Sequence, residues 1–129
     1  MPLLDIEIVL PPDENAPQGI AAAIAEAAAA VFQSSPGTTW VRLHELSSGR
    51  YSENGGGPGP GIQPVFVQVL HASIPPQTEL EQEASALATA VARICNRPVE
   101  HVHIVYEPGA AGRVAFGGKL FRGKGPVGA

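Results

Sequence analysis

The feature that most limits the possible folds of this chain is a repeated order of elements: a segment of helix length lies between two segments of strand length, twice over. The first such unit covers residues 2–46 and the second covers residues 64–121. Strands that are joined through a helix run parallel, and the helix packs on their sheet. The order therefore predicts an α/β (α+β) fold, with one four-stranded mixed sheet and both helices on one of its faces.

In the first unit, the stretch LLDIEIVL at 3–10 alternates apolar and acidic side chains, as a half-buried strand does. Pro11 and Pro12 end this strand, and Pro17 suits the first turn of the following helix. A second strand is predicted at 39–46, within TTWVRLHEL. The apolar positions of the predicted helix lie on one face, and they are Ile20, Ile24, Ala27 and Val31.

The second unit repeats this plan. PVFVQVLH at 64–71 is rich in β-branched residues and predicts a strand, as does HVHIVYE at 101–107. Between them, Thr78 followed by Glu81 predicts a capping box at the start of a helix that continues to residue 95. The apolar positions of this helix are Leu80, Ala84, Leu87, Val91 and Ile94.

The segment between the two units, SSGRYSENGGGPGPGIQ at 47–63, is dominated by glycine and proline. One interpretation is a mobile connector, because glycine-rich segments are flexible. The other is a flap over a site, with Arg50 and Tyr51 as its contact residues. The chain as a whole, residues 1–129, is expected to form a single domain that ends in a tail at 122–129.

Composition excludes several classes of partner. The formal net charge is −4, whereas nucleic acids and anionic membranes attract basic surfaces. Cys95 is the single cysteine, so an intrachain disulfide is impossible and a reducing compartment fits. No signal peptide is visible, and the run GIAAAIAEAAAAVF is too short to span a bilayer. We expect a cytoplasmic protein.

The chain begins with Met-Pro, and a cell's aminopeptidase normally removes a methionine that precedes a small residue. Pro2 would then carry a free secondary amine at the start of a strand. An α-amino group titrates near ~8, and burial lowers its pKa towards neutral pH. Such an amine could act as a general base, or could attack a carbonyl to form an iminium. The alternative is that Met-Pro is an ordinary start without a chemical role.

Other patterns that carry chemistry are weak. His101 and His103 would point to one face of a strand, as zinc ligands can, but no carboxylate or cysteine nearby completes a set. Cys95 falls late on an amphipathic helix, which indicates core packing. GxSxG and Walker motifs are absent, and GGGPGPG lacks the features of a phosphate loop. We expect neither a metal nor another cofactor.

Together, the amino-terminal proline, the doubled unit and the segment GRVAFGGKL at 112–120 resemble the tautomerase superfamily over roughly residues 2–121. The resemblance implies that Pro2 is the catalytic base, and that Arg42 binds the substrate's carboxylate or polarises its carbonyl. An alternative for Arg42 is a solvated charge at a strand edge. The resemblance further implies a cyclic homotrimer, in which Arg42 could come from a neighbouring subunit.

The same resemblance suggests a pocket lining. Val114 lies where the family has an aromatic wall, and Phe116 follows two residues later. His103 occupies the place in the second unit that matches Arg42, one residue out of register. His71, Arg50 and Tyr51 are expected as ancillary substrate contacts, although a histidine at a strand end is more often structural.

Departures from the family pattern narrow the range of expected substrates and reactions. Pro11 and Pro12 replace an arginine that follows the first strand in 4-oxalocrotonate tautomerase, and LHASIPP lacks the arginine pair of the decarboxylase and dehalogenase branches. The expected substrate is a small 2-keto acid, arylpyruvate-like or 2-hydroxymuconate-like, and a monoacid such as an arylpyruvate-like keto or enol acid is the simpler expectation. Two alternatives stay open: a non-catalytic trimeric binding or signalling module with this fold, and an iminium-forming lyase or hydratase that uses Pro2.

Overall fold

The central sheet of the computed structural model, which describes residues 2–123, contains four strands, and two helices connect them in the predicted order. The strands are β1 (Leu3–Leu10), β2 (Trp40–Ser47), β3 (Val65–Leu70) and β4 (Val102–Tyr106). Helix α1 (Ile20–Phe32) joins the first pair of strands, and helix α2 (Gln77–Cys95) joins the second pair. A small hairpin, β5 (Ala115–Phe116) and β6 (Lys119–Leu120), follows β4. The predicted α/β (α+β) fold is confirmed.

The sheet has the order β2-β1-β3-β4, which places the strands of each unit side by side. β1 runs parallel to β2, and β3 runs parallel to β4. The two units meet through an antiparallel pairing of β1 with β3, in which Leu3 lies opposite Leu70 and Ile8 lies opposite Val65. Consequently the amino-terminal end of β1, the carboxyl end of β3 and the carboxyl end of β4 lie at the same end of the sheet.

Alternation along the strands separates a core face from a polar face. Leu4, Ile6 and Val67 are fully buried on the face that the helices cover. Within residues 2–123 no helix covers the opposite face, which we call the open face. Its side chains come from all four strands, because paired residues share a face. They include Asp5, Glu7, Arg42, His44, Phe66, Gln68, His103 and Val105.

The first helix differs from its prediction at its start. α1 begins at Ile20, after a turn in which the Ile20 N–H donates to the Pro17 carbonyl at 3.4 Å. The placement of Pro17 in the first helical turn is therefore wrong. The helix buries Ile20, Ile24 and Ala28, a strict four-residue spacing, whereas Ala27 and Val31 are only half-buried.

The capping box predicted for the second helix is also wrong. α2 begins at Gln77, its N-cap is Pro76, and no side chain caps its first turn. The backbone of Pro76 is extended, and its carbonyl accepts the Leu80 N–H at 2.9 Å, so the chain enters the helix before Thr78. Thr78 lies within the first turn, where its hydroxyl cannot serve as an N-cap. The Leu87 side chain is fully buried at the middle of the helix.

Parts of the remaining chain are ordered by local contacts. Within 47–63, Ser48–Arg50 form one turn of 3₁₀ helix, and the Glu53 N–H donates to the Gly57 carbonyl at 2.9 Å. The β5–β6 hairpin turns at Gly117 and Gly118, whose φ angles of 58° and 83° suit a two-residue hairpin loop. Met1 and residues 124–129 of the predicted tail lie outside the described residues.

Candidate active site

Pro2 lies at the amino-terminal end of β1 and is buried. Its carbonyl accepts a hydrogen bond from the Trp40 N–H at 3.0 Å, which fixes Pro2 beside the start of β2. Since faces alternate along a strand, Pro2 shares the helix-covered face with Leu4. The residue predicted to carry a reactive amine is therefore buried on the helix-covered face of the sheet.

The segment after β4 gathers at the same end of the sheet. The Ala110 N–H donates to the His71 carbonyl at 2.8 Å, which joins this segment to the end of β3. Phe116 packs edge-to-face against Trp40, with ring centroids 5.6 Å apart. Val114 is half-buried, and its carbonyl accepts the Phe121 N–H at 2.8 Å. Phe116 therefore reaches the start of β2 through the Trp40 ring, which lies on the open face with Arg42, and Val114 directly precedes the hairpin.

A polar cluster lies on the helix-covered face at this same end of the sheet, and it contains His71, Glu83 and Tyr106. Glu83 Oε2 is 2.7 Å from His71 Nε2, and it accepts the Tyr106 hydroxyl at 2.8 Å. The His71 and Tyr106 rings are stacked at 6.0 Å, and Phe32 meets His71 edge-on at 5.3 Å. Burial, and secondly the bond to Glu83, raise the pKa of Tyr106 far above its usual value. Tyr106 is therefore a hydrogen-bond donor throughout the physiological range.

Of this cluster, the sequence indicated only His71. The sequence could have identified Glu83 as a candidate, because this acidic residue lies three positions after Leu80 and four before Leu87, on the apolar face of α2. Tyr106 alternates with Val102 and Ile104, which places it on the core face of β4. Their convergence on one carboxylate oxygen depends on how α2 crosses the sheet, which no local pattern reveals.

Arg42 lies on the open face, opposite in direction to Pro2. Its Nε and Nη2 donate to Asp5 Oδ1 and Oδ2 at 3.1 and 2.5 Å, and His44 Nε2 is 3.2 Å from the same carboxylate. The hydrogen bonds from Arg42 hold the pKa of Asp5 below its ordinary value, despite its partial burial. Within one chain, the structure does not bring Arg42 to Pro2, and the role of Arg42 stays a prediction.

The other predicted contact residues lie towards the far end of the open face. Phe66 contacts the rings of Tyr51 and His103 at 5.7 and 5.4 Å. Phe66 is paired with Glu7, five residues along β1 from Pro2, which corresponds to roughly 16 Å at the usual strand rise. Arg50 ends the 3₁₀ turn and is exposed. Tyr51, Arg50 and His103 are thus separated from Pro2 within the chain.

The open face also carries a shallow depression of about 660 Å³. Its lining is mixed, because acidic, amide, imidazole and apolar side chains all reach it. The lining residues are Asp5, Ile6, Glu7, His44, Glu45, Phe66, Gln68 and Val105.

Within residues 2–123, no group of three or more histidine, cysteine, aspartate or glutamate side chains is arranged to hold a metal ion. His101 ends a short 3₁₀ turn and precedes β4, so the expected placement of His101 and His103 together on one strand is wrong. Cys95 is buried, and burial raises the pKa of its thiol. Neither helix in this part of the chain has the length and apolar character needed to cross a bilayer.

Comparison with known proteins finds the same fold in solved structures, whereas no family model and no curated protein sequence matches the chain. The Q0 fused 4-OT wild-type symmetric trimer is 16% identical, with a TM-score of 0.74, over 93% of this chain and 95% of that chain. The macrophage migration inhibitory factor of Oncomelania hupensis is 18% identical, with a TM-score of 0.71, over 94% and 83%. Pt0534, inactivated by 2-oxo-3-pentynoate, is 13% identical, with a TM-score of 0.73, over 93% and 95%.

These structures come from the tautomerase superfamily, so the resemblance read from the sequence is confirmed at the level of the fold. The chain has the tautomerase fold, with its two β-α-β units fused in one polypeptide.

Proposed function

We propose that this protein is a cofactor-independent tautomerase that interconverts the enol and keto forms of a small 2-keto acid, with Pro2 as its general base. The observation that carries the proposal is the position of Pro2. It is buried at the start of β1, on the core face, in a fold that tautomerases use. Removal of Met1 would leave its secondary amine at this buried position.

The environment of Pro2 suits proton transfer near neutral pH. Burial disfavours the charged form of an amine, and each unit by which the pKa falls reflects about 1.4 kcal/mol of lost stabilisation of that form. An amine whose pKa lies near the working pH can both accept and release a proton efficiently. In the proposed reaction, the neutral amine takes the proton from the enol oxygen, and the resulting N–H delivers a proton to carbon.

The substrate contacts that we propose come from two subunits. In a homotrimer, Arg42 of a neighbouring chain would bind the carboxylate, because a guanidinium pairs with it bidentately. The hydrophobic end of the pocket would consist of Phe116 and Val114, with His71 as a polar neighbour. Trp40 is 51% exposed beside Phe116, and it could extend this lining. A planar arylpyruvate enol matches an aromatic wall and one cationic anchor.

The open face supports an assembly of this kind. Val105 on this face is 47% exposed, and β2 and β4 form the two edges of the sheet in residues 2–123. Three fused 4-OT structures with this fold are trimers. We propose a homotrimer in which the open face and its far-end residues, Arg50, Tyr51 and His103, lie against or near a neighbouring subunit. The proposed compartment is the cytoplasm, and the two units at 2–46 and 64–121 would act as one domain.

The test is ketonisation of phenylenolpyruvate, followed by the loss of its enol absorbance. The protein is first shown by mass spectrometry to lack Met1, and it is compared with Pro2→Ala. Loss of a general base predicts a rate at least about 100-fold lower in the variant. Pro12→Ala, at an exposed position that follows β1, is the matched control and should retain the wild-type rate. Equal rates for the wild type and Pro2→Ala would reject the proposal.

A second candidate function is a non-catalytic binding or signalling module, and the Asp5–Arg42 pair favours it. Arg42 donates hydrogen bonds from Nε and Nη2, and both go to Asp5. A substrate carboxylate must therefore compete with the Asp5 carboxylate for this guanidinium. This candidate predicts that Pro2→Ala leaves every measurable behaviour unchanged. Borohydride distinguishes an iminium-forming lyase or hydratase from a tautomerase, because it would trap the adduct of Pro2 with an α-keto acid.

A further inference from the structure

Glu83 is an acidic residue that α2 places among apolar side chains, and it serves two partners through one oxygen. Its Oε2 is within hydrogen-bond distance of His71 Nε2 and of the Tyr106 hydroxyl, at 2.7 and 2.8 Å. The side chains of His71 and Glu83 are only 12% and 15% exposed. A partly buried carboxylate with two partners is costly to desolvate, which suggests that it has a role beyond packing.

Extension of the β1–β3 register by one residue pair would place His71 opposite Pro2. β1 and β3 pair so that residue numbers sum to 73, and the last pair is Leu3 with Leu70. One further step would set Pro2 opposite His71. The Val9 N–H donates to the Pro64 carbonyl, so odd-numbered β1 residues form the hydrogen-bonded pairs. The pair of Pro2 and His71 is then of the non-hydrogen-bonded kind, in which Cα atoms are about 4.5 Å apart and side chains lie closest.

In the neutral form of His71, the contact with Glu83 determines which ring nitrogen carries the proton. A carboxylate only accepts hydrogen bonds, so the neutral ring carries its proton on Nε2 where Glu83 binds it. The other nitrogen, Nδ1, keeps its lone pair. Stacking on Tyr106 and the edge contact with Phe32 restrict the ring from two further sides. Tyr106 and Glu83 together therefore hold both the orientation and the tautomer of His71.

We infer that Glu83 is a positioning residue for the proton-transfer site, which it serves by holding His71 as the polar neighbour of the Pro2 amine. This inference rests on the proposed function. When Pro2 takes the enol proton, the O–H bond breaks and the amine gains a second N–H. One N–H returns its proton to carbon, and the other stays on the amine and donates a hydrogen bond to Nδ1 of His71. His71 keeps its own proton on Nε2 throughout, so no proton is gained or lost by the cluster.

The test compares Glu83→Gln with Glu79→Gln, an exposed glutamate in the first turn of the same helix. The first readout is the pair of imidazole ¹⁵N shifts of His71 in long-range ¹H–¹⁵N spectra. We expect a single Nε2–H tautomer in the wild type and in Glu79→Gln, and a mixture of tautomers in Glu83→Gln. The second readout is phenylenolpyruvate ketonisation. We expect kcat of Glu83→Gln to fall about 10- to 100-fold with KM unchanged, because misalignment affects the reacting step.

The outcomes separate this inference from the proposed function. If the activity depends on Pro2 but Glu83→Gln has the same rate as the wild type, the inference is overturned and the proposed function stands. A wild type without activity would overturn the proposed function, and the inference with it. Glu83→Asp keeps the carboxylate on a shorter side chain, and it serves as the test variant if Glu83→Gln does not fold. It should give a kcat between those of the wild type and Glu83→Gln, and a kcat equal to that of the wild type would contradict the need for this geometry.

Discussion

The two tyrosines of this protein offer a matched test of how burial changes the strength of one hydrogen bond. The Tyr106 hydroxyl donates to Glu83 in the partly buried cluster, at 2.8 Å. The Tyr51 hydroxyl donates to Glu53 on the exposed connector, at 2.6 Å. The chemistry of donor and acceptor is identical. Replacement of each tyrosine by phenylalanine removes one hydroxyl and leaves the ring.

We expect Tyr106→Phe to lower the free energy of unfolding by about 1.5–3 kcal/mol, the usual range for a hydrogen bond to a charged group. The Glu83 carboxylate keeps His71 as a partner, so the loss should not exceed this range. Tyr51→Phe should cost less than about 0.5 kcal/mol, because water replaces the lost donor at an exposed carboxylate. The geometric difference between the two bonds is small, so burial accounts for the contrast.

Urea denaturation at one fixed protein concentration measures both variants. For a protein of this size, a loss of about 2 kcal/mol moves the midpoint by roughly 1 M, since m is about 1–3 kcal/mol/M. Equal m values for the three proteins would show that the denatured states are comparable. Equal losses for Tyr106→Phe and Tyr51→Phe would refute the claim that the Glu83 cluster is shielded from water.

Three further perturbations test other parts of the structure. Leu87→Ala should destabilise the fold by about 2–5 kcal/mol in urea, because this fully buried side chain leaves a cavity under α2; a loss below 1 kcal/mol would contradict its placement. Asp5→Asn should lower the urea midpoint at neutral pH. The pKa of Asp5 is lower in the folded than in the unfolded chain, so this advantage of the wild type is fully present above the unfolded value of about 3.9 and is lost as pH falls from there through the folded value. A difference that persists below both values would exclude the ion pair as its cause. Because the pKa of Tyr106 is raised in the folded protein, the contribution of this group to the free energy of unfolding should be fully present below about pH 10 and should decline above it, as the unfolded chain gains a phenolate. A titration at 295 nm that shows Tyr106 ionising like a free tyrosine would contradict this.

The fold could be predicted because its determinants are local and repeated. The alternation of LLDIEIVL identified β1, and the four-residue spacing of Ile20 and Ile24 identified α1. The start of α2 could not be predicted correctly, because Pro76 accepts the first helical hydrogen bond and displaces Thr78 from the cap position. Backbone geometry at one proline therefore overrode a side-chain motif.

The candidate site was predictable only in part. Pro2 carries its own signal, because amino-terminal position and chemistry are both visible in the sequence. The partnership of Glu83 with Tyr106 joins residues 23 positions apart through the packing of α2 on β4, which no spacing rule encodes. Similarly, Arg97 donates to the carbonyls of Val9, Gln63 and Cys95, and it thereby connects the end of α2 to β1 and to the segment that leads into β3. Such contacts arise from tertiary structure alone.

The central claim is that Pro2 presents a neutral, reactive amine at neutral pH, and covalent labelling tests it most directly. Pt0534, which shares this fold, is inactivated by 2-oxo-3-pentynoate, an alkyne conjugated to a ketone that a neutral amine can attack. Burial and the raised pKa of its thiol make Cys95 a poor competitor for this reagent. The Met1-processed protein is incubated with the reagent at pH 7, and its peptides are analysed by mass spectrometry. We predict one adduct, on the peptide that begins at Pro2, formed in step with loss of ketonisation activity. An unmodified amino terminus, or labelling distributed over other nucleophiles, would contradict the account.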